Sequence, residues 1–111
     1  MRVGQKHKRR AGDYTKQMWD RAKQLKNTGL RNGYTIVLYD ITQVILEKNT
    51  SDGNHVLITV QVPSLSTSTV LNHPKQGMNR LLRDGMDLQT TKKVIENPRL
   101  HTSEEVKSRH F

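Results

Sequence analysis

The sequence predicts an α+β fold: an N-terminal amphipathic helix, an antiparallel two- or three-stranded sheet, and short C-terminal helices. Apolar and polar residues alternate from His55 to Val62, and the six residues before this run have turn composition. On both sides of this central region, apolar residues recur three and four positions apart. Alternation with period two is typical of a half-buried strand, whereas spacings of three and four are typical of helices. A chain of 111 residues has the length of one domain.

The first residues are basic and contain almost no apolar side chains. Lys6, Lys8, Arg9 and Arg10 lie between two glycines, in a segment with little to bury. Such composition is typical of a chain that does not fold alone. We therefore expect residues 1–12 to be a flexible basic arm. Residues 13–111 then form one small α+β domain with a frayed C-terminal end.

A helix is predicted from Tyr14 to Asn27, where the chain has no proline or glycine. Asp13 is suited to the N-cap, and Gly29 is placed to end the helix, with Leu30 folding back on the last turn. The apolar stripe consists of Tyr14, Met18, Ala22 and Leu25. Trp19 lies beside this stripe and is interpreted as a packing anchor rather than as a base-stacking platform.

The centre of the sheet is predicted to be a hairpin. Its first part, Thr35–Tyr39 and Thr42–Lys48, is apolar on both faces, so we expect it to be covered on two sides. A three-residue loop with Gly53 in the left-handed conformation would pair Leu46 with Ile58 and Val44 with Val60. The alternative is a short helix over residues 41–45 capped by Asp40.

The region after Pro63 is predicted to hold a loop and two short helices. The hydroxyl-rich segment 64–69 reads as the loop. Pro74 suits the first turn of a helix whose apolar face is Met78, Leu81 and Leu82 and which ends at Gly85. A second helix, Leu88–Glu96, is predicted to be capped by Asp87 and to stop at Asn97-Pro98.

Residues that could carry catalysis or bind a cofactor are scarce. The chain has no cysteine, no phosphate-binding glycine loop and no nucleophile elbow, and its five histidines lack the spacing of a metal site. We therefore predict no catalytic residue, no metal site and no cofactor. An alternative is a small ribonuclease or toxin, in which His55, His73 and His101 would act as general acid and base.

The positive charge is concentrated at the start of the chain. The net charge is +9, and residues 1–31 hold ten basic and two acidic residues. Lysine and arginine bind phosphates and release their counterions, so this excess predicts a protein that binds nucleic acid through phosphate contacts and shape, with RNA favoured over DNA. The candidate phosphate contacts are Lys6, Lys8, Arg9, Arg10, Lys16, Arg21, Lys23, Lys26, Arg80, Arg83, Lys92 and Lys93. A ribosome-associated, viral or phage accessory protein would suit this function.

Further expectations concern the class of protein and its location. The element order of helix, three strands and helix resembles that of double-stranded-RNA-binding domains, although their Lys-Lys-x-Ala-Lys pattern is absent. An exposed sheet edge and a 32% apolar content suggest, as an alternative function, an assembly module that forms a homo-oligomer.

The basic N-terminus is followed by no apolar segment long enough to span a bilayer. We expect a soluble protein without a membrane partner, in the cytoplasm or a eukaryotic nucleus, and not secreted.

Overall fold

The computed structural model describes residues 2–98, with side chains described for residues 12–98. The helices are α1 (Arg2–Arg31) and α2 (Leu88–Glu96). Between them lie β1 (Thr35–Tyr39), β2 (Gln43–Asn49), β3 (His55–Gln61), β4 (Thr67–His73) and β5 (Gly77–Arg83). The strands form one antiparallel sheet in chain order. The predicted α+β class is confirmed, but the sheet has five strands rather than two or three.

The central hairpin is formed by β2 and β3 with the predicted pairing. Leu46 lies opposite Ile58, and Val44 lies opposite Val60. Gly53 has φ +92°, and its amide donates to the Thr50 carbonyl at 3.1 Å. The left-handed conformation that only glycine adopts without strain therefore sets this register. The alternative of a short helix over residues 41–45 is wrong, because β2 begins at Gln43.

Both helices lie on one face of the sheet and bury it. Every second residue of the central strands is buried there, and α1 contributes Met18, Ala22 and Leu25 to the same core. Ile95 of α2 is also fully buried in this cluster. We expected the first part of the sheet to be covered on two sides, but the elements of the described residues cover only one face of the sheet. Its second face, here called the open face, carries Ile45, Glu47, His55, Leu57, Thr59, Ser68, Val70, Asn72, Met78, Arg80 and Leu82.

Helix α1 is longer than predicted, and its ends differ from the predicted ends. Asp13 lies within the helix rather than at its N-cap, and Gly29 lies within it rather than after it. The helix ends at Arg31, and Gly33 takes the left-handed conformation with φ +82°. Leu30 does not fold back, since its side chain is 53% exposed. Whether residues 1–12 are a flexible arm stays a prediction, and the C-terminal end that we expected to fray lies beyond the described residues.

Gly29 lets α1 approach the sheet closely. A Cβ atom at this position would lie 2.8 Å from Cδ2 and 2.9 Å from Cδ1 of Leu46, a fully buried residue of β2. Such distances are shorter than van der Waals contact allows. The glycine that we expected to end the helix therefore serves helix–sheet packing instead.

Two contacts fix the C-terminal end of α1. Lys48 Nζ donates to the Asn32 carbonyl at 2.9 Å and lies 4.3 Å from the centre of the Tyr34 ring. A cation at this end offsets the negative end of the helix dipole. Burial lowers the pKa of Lys48 below its ordinary value. This lysine thus has a structural role.

The chain from residue 64 to 85 differs most from the prediction. The segment expected to be a loop contributes Thr67 and Thr69, both buried, to β4. The segment expected to be a helix forms β5, in which Leu81 is buried while Leu82 is 54% exposed. That alternation is the strand period and not the helical one. The five strands also remove the likeness to double-stranded-RNA-binding domains, which rested on three.

Helix α2 confirms its predicted limits and cap. The Asp87 carboxylate accepts a hydrogen bond from the Thr90 amide at 2.7 Å, and this bond lowers the pKa of Asp87. The helix is joined to the rest of the core by Tyr34, whose hydroxyl donates to the Ile95 carbonyl at 2.7 Å. Burial raises the pKa of Tyr34 above its ordinary value. One of the carbonyls left unpaired at a helix end is thereby satisfied.

Candidate nucleic-acid interface

The outer side of α1 presents two exposed lysines. Lys16 and Lys23 are seven residues apart, which is two turns of an α-helix, so they lie on the same side about 10 Å apart along the axis. Both are exposed to solvent. Asp20 lies between them on this side and is also exposed, which reduces the local positive charge. The lysines can therefore contact phosphates, but alone they create only a modest field.

An aromatic pair lies next to these lysines. The rings of Trp19 and Tyr39 meet edge to face with their centres 5.5 Å apart, and Lys26 Nζ lies 4.6 Å from the centre of the Tyr39 ring. Trp19 thus contacts the end of β1, as a packing anchor would, but its side chain remains 41% exposed. The five residues Lys16, Trp19, Lys23, Lys26 and Tyr39 are called the basic-aromatic strip below.

Other predicted phosphate contacts are held by the protein itself. Arg21 Nη1 donates to the carbonyls of Val62 and Pro63, at 3.0 Å each, and so ties α1 to the segment after β3. Lys92 Nζ donates to Gln24 Oε1 at 2.7 Å and links the two helices. Lys93, next to it, is exposed in the last turn of α2. Of these three basic side chains, only Lys93 forms no hydrogen bond with another described residue.

The two arginines of β5 lie away from the strip. Arg80 is exposed on the open face, opposite Val70 of β4. Arg83 is opposite Thr67 and lines a depression of about 260 Å³ together with Asp84. The predicted set of basic residues therefore divides between the helix layer and β5, and the structure does not bring it onto one surface.

Most of the excess charge lies in the first eleven residues. Residues 12–98 contain eleven basic and eight acidic residues, a net charge of +3, whereas residues 1–11 contain five basic residues and no acidic one. The backbone of residues 2–11 belongs to α1, but the side chains of Lys6, Lys8, Arg9 and Arg10 lie outside the described part of the structure. The first turn of α1 has no acidic residue. Positive charge at a helix N-terminus opposes the helix dipole, so a bound anion would stabilise this end.

The described histidines do not form an acid–base pair. His55 Nε2 lies 3.2 Å from Glu47 Oε2 on the open face. His73 follows Asn72, the residue paired with His55, so its side chain lies on the opposite face of the sheet. There it contacts the Asp52 carbonyl at 3.2 Å, and its Nδ1 accepts from the amides of the β4–β5 turn. His101 lies outside the described residues, within which no group of side chains suits a metal ion.

The sequence contained one signal for the aromatic part of the strip. Trp19, Lys23 and Lys26 are spaced four and three residues apart, which places them on one side of a helix. Tyr39 could not be joined to them without the helix–sheet packing, because it lies on β1.

Comparisons of the chain with protein-family models, with curated proteins and with solved structures gave no match. Among the described residues, no helix is both long enough and apolar enough to cross a bilayer. A functional proposal for this chain therefore depends on its own residues.

Proposed function

We propose that this protein binds nucleic acid through α1, mainly by phosphate contacts, and that RNA is favoured over DNA. The observation that carries the proposal is the basic-aromatic strip, in which a 41% exposed tryptophan lies among three lysines. Aromatic side chains that stack on bases, next to cations that contact the backbone, are typical of surfaces that bind single-stranded nucleic acid. Unpaired RNA bases are the commonest targets of such stacking.

The strip and the N-terminal residues have different parts in the proposal. Lys26 lies over the Tyr39 ring, so its ammonium group is held near Trp19 at the end of β1. This arrangement suits one base and its phosphate. The five basic residues of the segment 1–11 add charge in a stretch that contains no acidic residue. We expect them to supply most of the salt-dependent affinity, because affinity for phosphates increases with the number of cations that neutralise them.

The experiment is a fluorescence titration with a single-stranded RNA oligonucleotide. Trp19 is the only tryptophan of the chain, so its emission reports on this surface alone. Stacking with a base should quench it. Replacing both strip lysines, K16Q/K23Q, should weaken binding and lower the slope of log K against log [salt] by roughly 1.4 for a single strand.

The control removes the same charge elsewhere. K75Q/R80Q changes one residue in the β4–β5 turn and one on the open face, both exposed and both away from the strip. We expect this variant to bind almost as the unmodified chain does. Equal weakening by the two double variants would mean that net charge alone attracts the RNA. Binding that is detected by the anisotropy of a labelled RNA but does not change Trp19 emission would remove the strip from the interface.

A further inference from the structure

The open face is an apolar surface that no described element covers. Ile45, Leu57 and Val70 are half-buried there, and Leu82 and Met78 are 54% and 64% exposed. None of these five belongs to the core cluster under the helices. A contiguous apolar surface of this kind usually marks an interaction site.

Over the four strands β2 to β5, the strand register places charges at the two ends of a row on this face. Glu47 of β2 is opposite Leu57 of β3, Leu57 is opposite Val70 of β4, and Val70 is opposite Arg80 of β5. The row thus reads acidic, apolar, apolar, basic. The adjacent row reads Ile45, Thr59, Ser68 and Leu82, with apolar residues at its ends and hydroxyls in its middle.

This pattern is complementary to itself. Consider a two-fold axis that lies along the strands, between β3 and β4, in the plane of the open face. It places β2 of one copy over β5 of the other and β3 over β4. Glu47 then faces Arg80 of the second copy, and Leu57 faces Val70 of the second copy. In the adjacent row, Ile45 faces Leu82 of the second copy.

We propose that the open face is a homodimer interface, in which a second copy of this chain packs sheet against sheet about that axis. Stacked sheets lie about 10 Å apart, a gap that a glutamate and an arginine side chain span together. A symmetric interface is self-complementary by construction. Charge also selects the orientation. An axis that crosses the strands along this row would place Glu47 against Glu47 of the second copy, and like charges at an interface are strongly disfavoured.

The size of the face agrees with a weak or moderate dimer. Four strands at about 4.8 Å spacing and seven residues at about 3.4 Å give a surface of roughly 450 Å² in plane, before side-chain relief is counted. Stable interfaces bury about 800 Å² per partner, so the smaller area of this face is typical of a transient dimer whose population depends on concentration. The charged residues lie on the outer strands of the contact, where a polar rim is expected.

The proposed pair cannot form within one chain. Glu47 and Arg80 lie on β2 and β5, three strand spacings or about 14 Å apart. Among the described residues, the only ion-pair partner of Glu47 is His55, at 3.2 Å, and Arg80 has no ion-pair partner. A charge swap between these two positions therefore breaks one contact within the chain, that of Glu47 with His55, and otherwise changes only the pairing between copies.

The experiment is sedimentation velocity on the full chain, from about 1 to about 500 µM, a range that spans weak to stable association. The unmodified chain should shift from monomer to dimer. R80E places two glutamates together, and E47R places two arginines together. Each should raise the dissociation constant at least about tenfold. The double variant E47R/R80E restores opposite charges and should recover most of the affinity.

The control is K75E, which makes the same charge change in the exposed β4–β5 turn and should leave association unchanged. Thermal melts of every variant verify that the fold is retained. A monomer at all concentrations would overturn the proposal, as would a dimer indifferent to R80E and E47R. If R80E lowers RNA affinity while the unmodified chain remains monomeric, the open face is a nucleic-acid surface instead. Failure of RNA binding has no bearing on these results.

Discussion

At the scale of single residues, Gly29 determines how closely α1 approaches the sheet. Its missing side chain leaves room for Leu46, whose Cδ atoms would lie within 3 Å of any Cβ at this position. Gly12, in the same helix, has nothing within 4 Å of the corresponding point. A substitution at Gly12 therefore tests helix propensity alone, whereas one at Gly29 also tests packing against Leu46.

We predict opposite effects of Gly→Ala at these positions. Gly12→Ala should raise the free energy of unfolding by up to about 1 kcal/mol, because alanine is the better helix former. Gly29→Ala should lower it by about 1–2 kcal/mol, because the overpacking penalty exceeds that gain. Urea denaturation of both variants is the measurement. Stabilisation by Gly29→Ala would show that Leu46 moves aside at little cost.

Tyr34 offers a second residue-level prediction. Tyr34→Phe leaves the buried Ile95 carbonyl without its donor, and the free energy of unfolding should fall by about 1–2 kcal/mol. The change should loosen the attachment of α2 in particular. Hydrogen exchange of the α2 amides, compared with those of the β2–β3 hairpin, would detect this. Uniform loss of protection would contradict a local role.

The same tyrosine gives a pH dependence with a definite sign. Burial raises the pKa of Tyr34 in the folded chain. Unfolded tyrosine loses its proton near pH 10. The contribution of protonated Tyr34 to the free energy of unfolding is therefore complete below about pH 10 and is lost as the pH rises further. The stability difference between the unmodified chain and Tyr34→Phe should therefore shrink above that pH. Urea denaturation of both proteins between about pH 9 and about pH 11 tests this.

At the scale of elements, the assignment of β5 as a strand rather than a helix is the easiest to test. A helix over residues 74–84 would bury Leu81 and Leu82 together, whereas a strand buries only one of them. Leu81→Ala should cost about 2–5 kcal/mol, because it opens a cavity in the core. Leu82→Ala removes a 54% exposed side chain and should cost less than about 1 kcal/mol. Comparable losses in chemical denaturation would mean that the two leucines share a face.

An element can be predicted from the sequence when residues within it or next to it determine its structure. The β2–β3 hairpin and α2 were predicted correctly because Gly53 fixes a loop and Asp87 fixes a cap, both local effects. Strand β5 was missed because Pro74 and Gly85, which lie on either side of it, also suit helix ends. Its residues pair only with strands brought near by the rest of the sheet.

The candidate site was predicted only in part for the same reason. Exposed lysines on α1 follow from helical spacing, so Lys16 and Lys23 were correctly placed on its outer side. Arg21 was assigned to phosphates, but it binds two backbone carbonyls that only the folded chain brings near it. The self-complementary order of the open face depends on strand register over four strands, which no local pattern contains.

At the scale of the whole molecule, the densest group of basic residues and the core residues lie in different parts of the chain. The first buried residue in the described part of α1 is Met18, and Gly12 to Gln17 are all exposed. The five basic residues of the segment 1–11 thus precede every core residue in the described part of the chain. Binding and folding should respond independently to changes in this segment.

We predict that deletion of residues 1–11 leaves the thermal midpoint nearly unchanged, since the described core begins only at Met18. RNA affinity should nevertheless fall for all sequences alike, and the salt slope should decrease by roughly 0.7 for each phosphate of a single strand that is no longer neutralised. Calorimetry and the fluorescence titration together test both parts. A change in sequence preference would mean that the segment reads bases.

The chain-order arrangement of the five strands also bears on how fast this protein folds. Each strand pairs with its sequence neighbour, so the sheet consists of four consecutive hairpins with short loop closures. Pairing between sequence neighbours keeps loop closures short, which favours faster folding than a sheet of the same size with distant pairings. The contacts that span the greatest sequence distances, such as Tyr34 to Ile95, attach α2 to the α1 end of the molecule. We therefore expect the hairpins to form in the transition state and α2 to dock afterwards, so that weakening α2 accelerates unfolding and leaves the folding rate almost unchanged.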